Sequence, residues 1–308
     1  MDCIILAGNR ENYRAVSHKP NKAFLEVSGQ PILKIMLLEL EKVPEIDRIL
    51  LVGPERQIAD LVANELPDGY AKPLLIFEQQ SDLVANILEV VDATQESPDP
   101  DRYVLILPSD IPLMTCEEVR EFVAQCDMSQ YDMVSGVTTS EALSRYYPTE
   151  SSPGVRMAYF FFREGHYRIN NMHMVRPSAL DGAEYIRKTY AIRYQKEFRN
   201  ILKMIFQLML VALRSPAGIF IYLGMSSARW CHEMGWEGMS RWFRRWFPLK
   251  RAAKSISKVL GTRFHIAVTK YGGAAIDVDN EADYEAIVAR FDEWIALQRT
   301  LTKAPDAR

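Results

Sequence analysis

None of the spacings among the four cysteines, Cys3, Cys116, Cys126 and Cys231, outlines a disulfide framework or a metal cage. Reduced thiols are therefore expected, which suits a cytoplasmic chain. The five histidines show no ligand spacing either. Long apolar runs are also missing. The greasiest stretch, Met204 to Leu213, reaches half the ~20 residues that a membrane-spanning helix needs, and Arg214, Ser215 and Pro216 break it. No basic leader or cleavage site precedes the first strand-like run, so secretion is not expected. Repeats and low-complexity tracts are absent.

Acidic side chains are scarce in one region only. Residues 187–263 hold sixteen Lys or Arg against three Asp or Glu, a local charge of +13, while the whole chain carries −3. The remainder must therefore be strongly acidic. Such asymmetry points to an anionic partner for the basic segment.

What is present reads as an α/β protein of ordinary soluble composition, with 48% hydrophobic and 25% charged residues in 308. The runs "DCIILAG", "RILLVG", "PLLIFEQ", "YVLILPSD" and "DMVSGVT" are continuously apolar, as strands buried on both faces should be. Between them "PILKIMLLELEKV", "ERQIADLVANEL", "SDLVANILEVVDATQE" and "TCEEVREFVAQC" carry apolar residues at helical spacing. Alternation of this kind predicts a doubly wound, mostly parallel sheet with right-handed crossovers. Residues 151–180 are expected to form a hairpin projecting from it. "RFHIAVTKYGGAAIDVDN" reads as a strand, a Gly-Gly turn and a second strand, and "EADYEAIVARFDEWIALQRTL" as a closing helix. The organisation expected is a core over 1–186, a helical basic and aromatic insertion over 187–263, and strands and a helix over 264–308 that complete the core.

In open sheets of this kind ligands bind beyond the carboxyl ends of the strands, where the strand order reverses. The loop after the first strand, residues 8–22, is polar and partly basic. Gly8 permits turns that aim backbone N–H groups at an anion, and Arg10, Arg14, Lys19 and Lys22 add positive charge. An ordinary solvated loop is the competing reading.

"LAGNR" followed by "NKAFLEVSGQPIL" resembles the signature of the MobA-like nucleotidyltransferases. "LILPSDIPLMT" is similar to the family's second motif and "AAIDVDNEADYEAI" to its third, in the family's order. Asn9 replaces the family's second glycine, and Tyr13 stands where a later loop arginine is expected, with Arg14 one place off. "GHYRINNMHMVRP" and "YIRKTY" more faintly resemble acceptor motifs of one branch. The resemblance implies a Rossmann-like, GT-A-type fold and a Mg²⁺-dependent transfer of an NMP unit from a nucleoside triphosphate to a phosphorylated acceptor, releasing pyrophosphate. It places Leu6, Ala7, Gly8, Asn9, Arg10 and Lys22 at the nucleotide, with Asn86 near the ribose or base. Asp110 and Asp279 become the metal carboxylates, Asp277 being the rival of Asp279. Asn171, Arg187 and Lys188 fall near the acceptor. These residue types suit the chemistry. Phosphoryl anions must meet while charge grows on the leaving group, so a cation, carboxylates to hold it and an ammonium are required. The alternatives are a GT-A glycosyltransferase, since "DVD" is a DxD motif, and a non-catalytic membrane-peripheral protein of the same fold.

In the basic insertion, four of the five tryptophans lie among arginines and lysines in "RWCHEMGWEGMSRWFRRWFPLKRAAKSISK". A helical subdomain or dimer face, with the tryptophans as its core, is one expectation. An anionic membrane surface met by residues 198–258, with an amphiphilic or lipid-like acceptor, is the other. The companion expectation for location is a peripheral position at the inner face of the membrane. Nucleic acid is the least favoured partner.

Overall fold

The computed structural model describes residues 1–8, 16–19, 21–66, 68–80, 83–94, 99–180 and 216–303. Along the chain run β1 (Asp2–Leu6), β2 (Glu26–Val27), β3 (Gln30–Pro31), α1 (Ile32–Glu41), β4 (Arg48–Gly53), α2 (Glu55–Glu65), β5 (Leu74–Glu78) and α3 (Leu83–Ala93). There follow β6 (Val104–Pro108), α4 (Cys116–Ala124), β7 (Met133–Thr139), α5 (Ser140–Leu143), β8 (Phe160–Phe161) and β9 (His166–Val175). The C-terminal part holds α6 (Pro216–Glu233), α7 (Glu237–Arg244), α8 (Leu249–Leu260), β10 (Phe264–Thr269) and α9 (Glu281–Lys303).

The main sheet has the order β10-β7-β9-β6-β1-β4-β5, with β8 paired to β9. Its pairings are parallel except those made by β9. The continuous apolar runs have a simple cause: both faces are covered. Cys3 and Ile5 of β1 share one buried cluster with Met36 and Leu40 of α1, Phe122 of α4 and Trp294 of α9. Ile4 points the other way, into a cluster with Leu50, Val52 and the α3 residues Ile87, Val90 and Val91. Each such aliphatic side chain contributes about 1.5–3 kcal/mol by leaving water.

Two expectations are corrected. Residues 166–175 do not project; β9 lies inside the sheet, antiparallel to both β6 and β7, and only its link to β8 is a hairpin. Met172 and Met174 are buried there, so the strand is held by its core side chains. The second strand expected after Gly272-Gly273 does not form. A 3-10 turn, Gly273–Ala275, takes its place, and an extended segment follows. Gly272 is left-handed, with φ of +96°, which favours glycine. A Cβ on Gly273 would lie 2.0 Å from the Leu113 carbonyl oxygen and 2.6 Å from Gln298 Nε2. Because the first of these is backbone, Gly273→Ala is expected to lower stability by about 3 kcal/mol. A shift of the urea midpoint measures it.

The described part of the basic segment is helical. Residues 187–215, including the Met204–Leu213 run, lie outside the described residues. Among the described residues no helix is long and apolar enough to cross a membrane.

Candidate active site

The strand order reverses at β1, which has β4 on one side and β6 on the other. The residues that leave the carboxyl ends of β1 and β6 therefore flank the crevice that such sheets use for ligands. Ser109 N–H donates to Leu6 O at 3.2 Å and Ala7 N–H to Val52 O at 2.7 Å, so both strand ends are fixed to their neighbours.

Lys22 enters from the 3-10 turn Lys22–Phe24. Buried Asn21 sets that turn: its Nδ2 donates to Ala7 O at 2.8 Å and its Oδ1 accepts from Ala23 N–H at 2.9 Å. Asp110 follows β6, and its carbonyl accepts the Val278 N–H at 3.0 Å. That one backbone bond ties the C-terminal extended segment to the end of β6. Lys22 Nζ consequently meets Asp110 Oδ2 at 2.8 Å and Asp279 Oδ1 at 3.6 Å. One ammonium thus touches two carboxylates that lie 169 positions apart in the sequence.

Asp277 is turned elsewhere. Arg168 of β9 donates from Nη2 to Asp277 Oδ1 at 2.8 Å and from Nε to Ala275 O at 2.9 Å. Of the two rival aspartates, Asp279 shares the lysine and Asp277 holds the arginine. The Asp279 carboxyl is pushed up to about 6, first by its loss of solvent and then by the negative charge of Asp277, against the pull of Lys22. Its side chain still keeps 58% exposure, so solvent tempers the rise. Arg168→Ala strips Asp277 of its partner and frees Ala275 O. The expected cost is about 2–3 kcal/mol, read as a lower melting temperature, with any activity at the site falling alongside it.

The other expected residues fall in four groups. Leu6, Ala7 and Gly8 stand at the end of β1, and a Cβ on Gly8 would lie 2.6 Å from Gln79 Oε1. Asn86 Oδ1 accepts the Gln80 N–H, which puts α3 beside the same rim. Asn171, in a left-handed conformation, donates from Nδ2 to Ala274 O at 3.0 Å and braces the 273–275 turn. Asn9, Arg10, Arg187 and Lys188 lie outside the described residues.

Three bracing residues had escaped sequence reasoning. Asn21 precedes Lys22 and is a good cap residue, a usable signal. Arg168 lies in the quoted "GHYRINNMHMVRP" with nothing to distinguish it from a surface cation. Glu118 reads as an ordinary acid in the first turn of α4. It is in fact fully buried, accepting the Gly272 N–H at 3.0 Å and the Ala274 N–H at 2.8 Å.

A sheet of this order, with a lysine–carboxylate cluster at its reversal, defines a Rossmann-like protein with a charged crevice at the switch point. A family profile described as MobA-like NTP transferase domain matches residues 3–202. The chain belongs to that family of nucleotidyltransferases. Lys22 and Asp110 lie within the matched residues and Asp279 beyond them. A structure described as a hypothetical transferase from Thermus thermophilus superposes with a TM-score of 0.66 at 19% identity, covering 92% of this chain and 98% of that one. It has the same fold. CMP:2-keto-3-deoxy-manno-octonic acid synthetase complexed with CTP gives a TM-score of 0.49 at 10% identity, covering 95% and 98%. The 2-C-methyl-D-erythritol 4-phosphate cytidylyltransferase of Francisella tularensis gives 0.49 at 9%, covering 96% and 99%. No curated protein sequence matches the chain.

Proposed function

We propose that this chain moves an NMP unit from a nucleoside triphosphate to a phosphorylated acceptor with release of pyrophosphate, using Mg²⁺. The observation that carries the reading is the contact of Lys22 Nζ with both Asp110, at 2.8 Å, and Asp279, at 3.6 Å, at the reversal of the sheet. Asp110 and Asp279 are the residues that would hold the ion. Their donors are all carboxylate oxygens, the ligands a hard divalent cation takes. The ammonium against both of them marks where positive charge is needed.

An ion held by Asp110 and Asp279 would supply positive charge for phosphate oxygens and for a pyrophosphate leaving group. Lys22 turns from its carboxylates to the β- and γ-phosphates as they arrive, an exchange of one set of anionic partners for another. Gly8, lacking a Cβ beside Gln79, lets backbone approach the triphosphate closely. Asn86 is assigned to the ribose or base, and Asn171, with Arg187 and Lys188, to the acceptor. An acceptor phosphate is already ionised near neutral pH, so no general base is called for. Residues 187–263 are read as an insertion into the core. An amphiphilic, lipid-like acceptor agrees with the properties of that segment.

The glycosyltransferase alternative would draw on both carboxylates of Asp277-Val278-Asp279. The pair between Asp277 and Arg168 speaks against it. The test is a melting experiment with ATP, CTP, GTP and UTP in turn, with and without Mg²⁺, followed by pyrophosphate detection. One triphosphate should raise the melting temperature in a Mg²⁺-dependent way, because a ligand of the folded state stabilises it by mass action. Failure of all four would overturn the reading.

A further inference from the structure

Tryptophan is large and is normally well covered. Trp294 conforms, with no exposed surface, but Trp230, Trp236, Trp242 and Trp246 are 53%, 47%, 50% and 45% exposed. All four belong to the basic segment, and the exposed Met234 and Met239 accompany them. They are not the core of the helices that carry them, contrary to the subdomain expectation. That core is built from Ala228, Cys231, Ser240 and Phe247, all buried. Ser240 Oγ donates to Ala228 O at 2.8 Å, and a Cβ on Gly224 would lie 2.1 Å from Phe247 Cε2.

The face is also anchored. Arg163 N–H, in the turn between β8 and β9, donates to Phe247 O at 2.9 Å, and Leu249 N–H donates to Glu164 Oε2 at 2.9 Å. Leu249 and Ala252 of α8 pack beside Val137 of β7. With those sides committed to protein, the tryptophans are left outward. Met239 and Trp242 lie three residues apart on α7, and Trp246 follows in the turn after it, its ring beside the same Arg245 that covers Trp242. Trp230 meets Trp236 edge-on at 5.4 Å between ring centroids.

Charge decides what this face meets. Residues 238–263 contain eight Lys or Arg and no Asp or Glu. Lys250, Arg251, Lys254 and Lys258 of α8 are exposed, while Ala253 between them is buried. A second copy docked face to face about a two-fold axis would bring an identical positive face against this one, which Coulomb repulsion opposes. Nucleic acid would stack its bases on the indole faces. The guanidinium of Arg245, however, lies over the rings of Trp242 and Trp246, at 5.2 and 4.7 Å from their centroids. Indole rings with a polar N–H, methionines and a belt of cations are what an interface of acyl chains and anionic headgroups accommodates.

We infer that the Trp-Arg face of residues 229–258 docks the protein on an anionic lipid surface. The docking stands independently of the nucleotidyl-transfer reading, since no residue of the Lys22 site takes part.

The test uses the full chain with phosphatidylcholine vesicles, with and without phosphatidylglycerol, in flotation at low salt and by tryptophan fluorescence. Binding is expected only to the anionic vesicles, with a blue shift as the exposed indoles leave water, and with release at high salt. Trp242→Ala with Trp246→Ala should weaken binding at least tenfold. Replacing Lys250, Arg251, Lys254 and Lys258 by Gln should weaken it by a factor on the order of several hundred, at about 1 kcal/mol per basic residue. All these positions are exposed, so circular dichroism should be unchanged and the variants remain interpretable. Equal binding to neutral vesicles, no binding at all, or a blue shift caused by an oligonucleotide and not by vesicles would each overturn the inference. So would a dimer in sedimentation that dissociates in the double tryptophan variant.

Discussion

Asp110→Asn is expected to lower Mg²⁺-dependent pyrophosphate release by a factor of about 10²–10³, the size of effect that follows loss of one aligned electrostatic group in a catalytic site. The substitution keeps shape and removes charge. Asp110 lies 2.8 Å from Lys22 Nζ and its backbone carbonyl accepts the Val278 N–H, so the backbone hydrogen bond that places Asp279 survives while the carboxylate is lost. Lys22 would keep the weaker contact with Asp279 at 3.6 Å. The pair is largely covered, at 12% and 18% side-chain exposure. The fold should still lose only about 1 kcal/mol, because the amide oxygen can accept from Lys22, Lys22 keeps Asp279, and one negative charge leaves the acidic cluster. The informative result is therefore a split: a nearly unchanged melting temperature without ligand, together with loss of the Mg²⁺-dependent part of the triphosphate shift. Retention of the full rate would remove Asp110 from the mechanism.

Glu118→Ala should have the largest effect on stability, about 4 kcal/mol or more. It deletes a fully buried side chain and leaves the Gly272 and Ala274 N–H groups without acceptors in the interior. The turn so released carries Arg168's acceptor Ala275 and, beyond it, Asp277 and Asp279, so activity should fall with stability. Burial pushes the Glu118 carboxyl up to about 8 from its ordinary 4.5, overcoming the backbone N–H groups that favour its charge. The folded state then binds a proton that the unfolded chain releases. Stability from this residue is complete below the unfolded value, and it is lost as pH rises from about 4.5 to about 8. Glu118→Gln, which cannot titrate, should lack that slope. Parallel denaturation curves of the two proteins across this range measure the difference. Identical slopes would mean that the carboxyl does not take up a proton on folding.

Much of the frame was legible because it depends on local pattern. A strand covered on both faces must be apolar throughout, and a helix laid on a sheet must repeat its apolar side chains every three to four residues. β1, β4, β6, β7 and helices α1 to α4 obey those rules, so their positions follow from the sequence, whereas the apolar run of β5 lies at the sheet edge with Leu75 40% exposed. Lys22, Asp110 and Asp279 were legible through three motifs in a recognisable order. β9 was not. Its mixed run "HYRINNMHMV" alternates too unevenly to advertise a strand between two others, and pairing with β6 and β7 is a matter of partners remote in the chain.

The amino-acid sequence by itself determined the layers, the lysine and acids proposed to carry the chemistry, and the concentration of positive charge in one segment. Only the tertiary structure decided that Asp279 and not Asp277 meets Lys22, that Glu118 is an interior brace, and that four tryptophans face outward. The reason is range. Periodicity reports which face of an element avoids water, whereas the partner of a given charge is fixed by contacts such as that between Lys22 and Asp110, 88 residues apart, which no local pattern encodes.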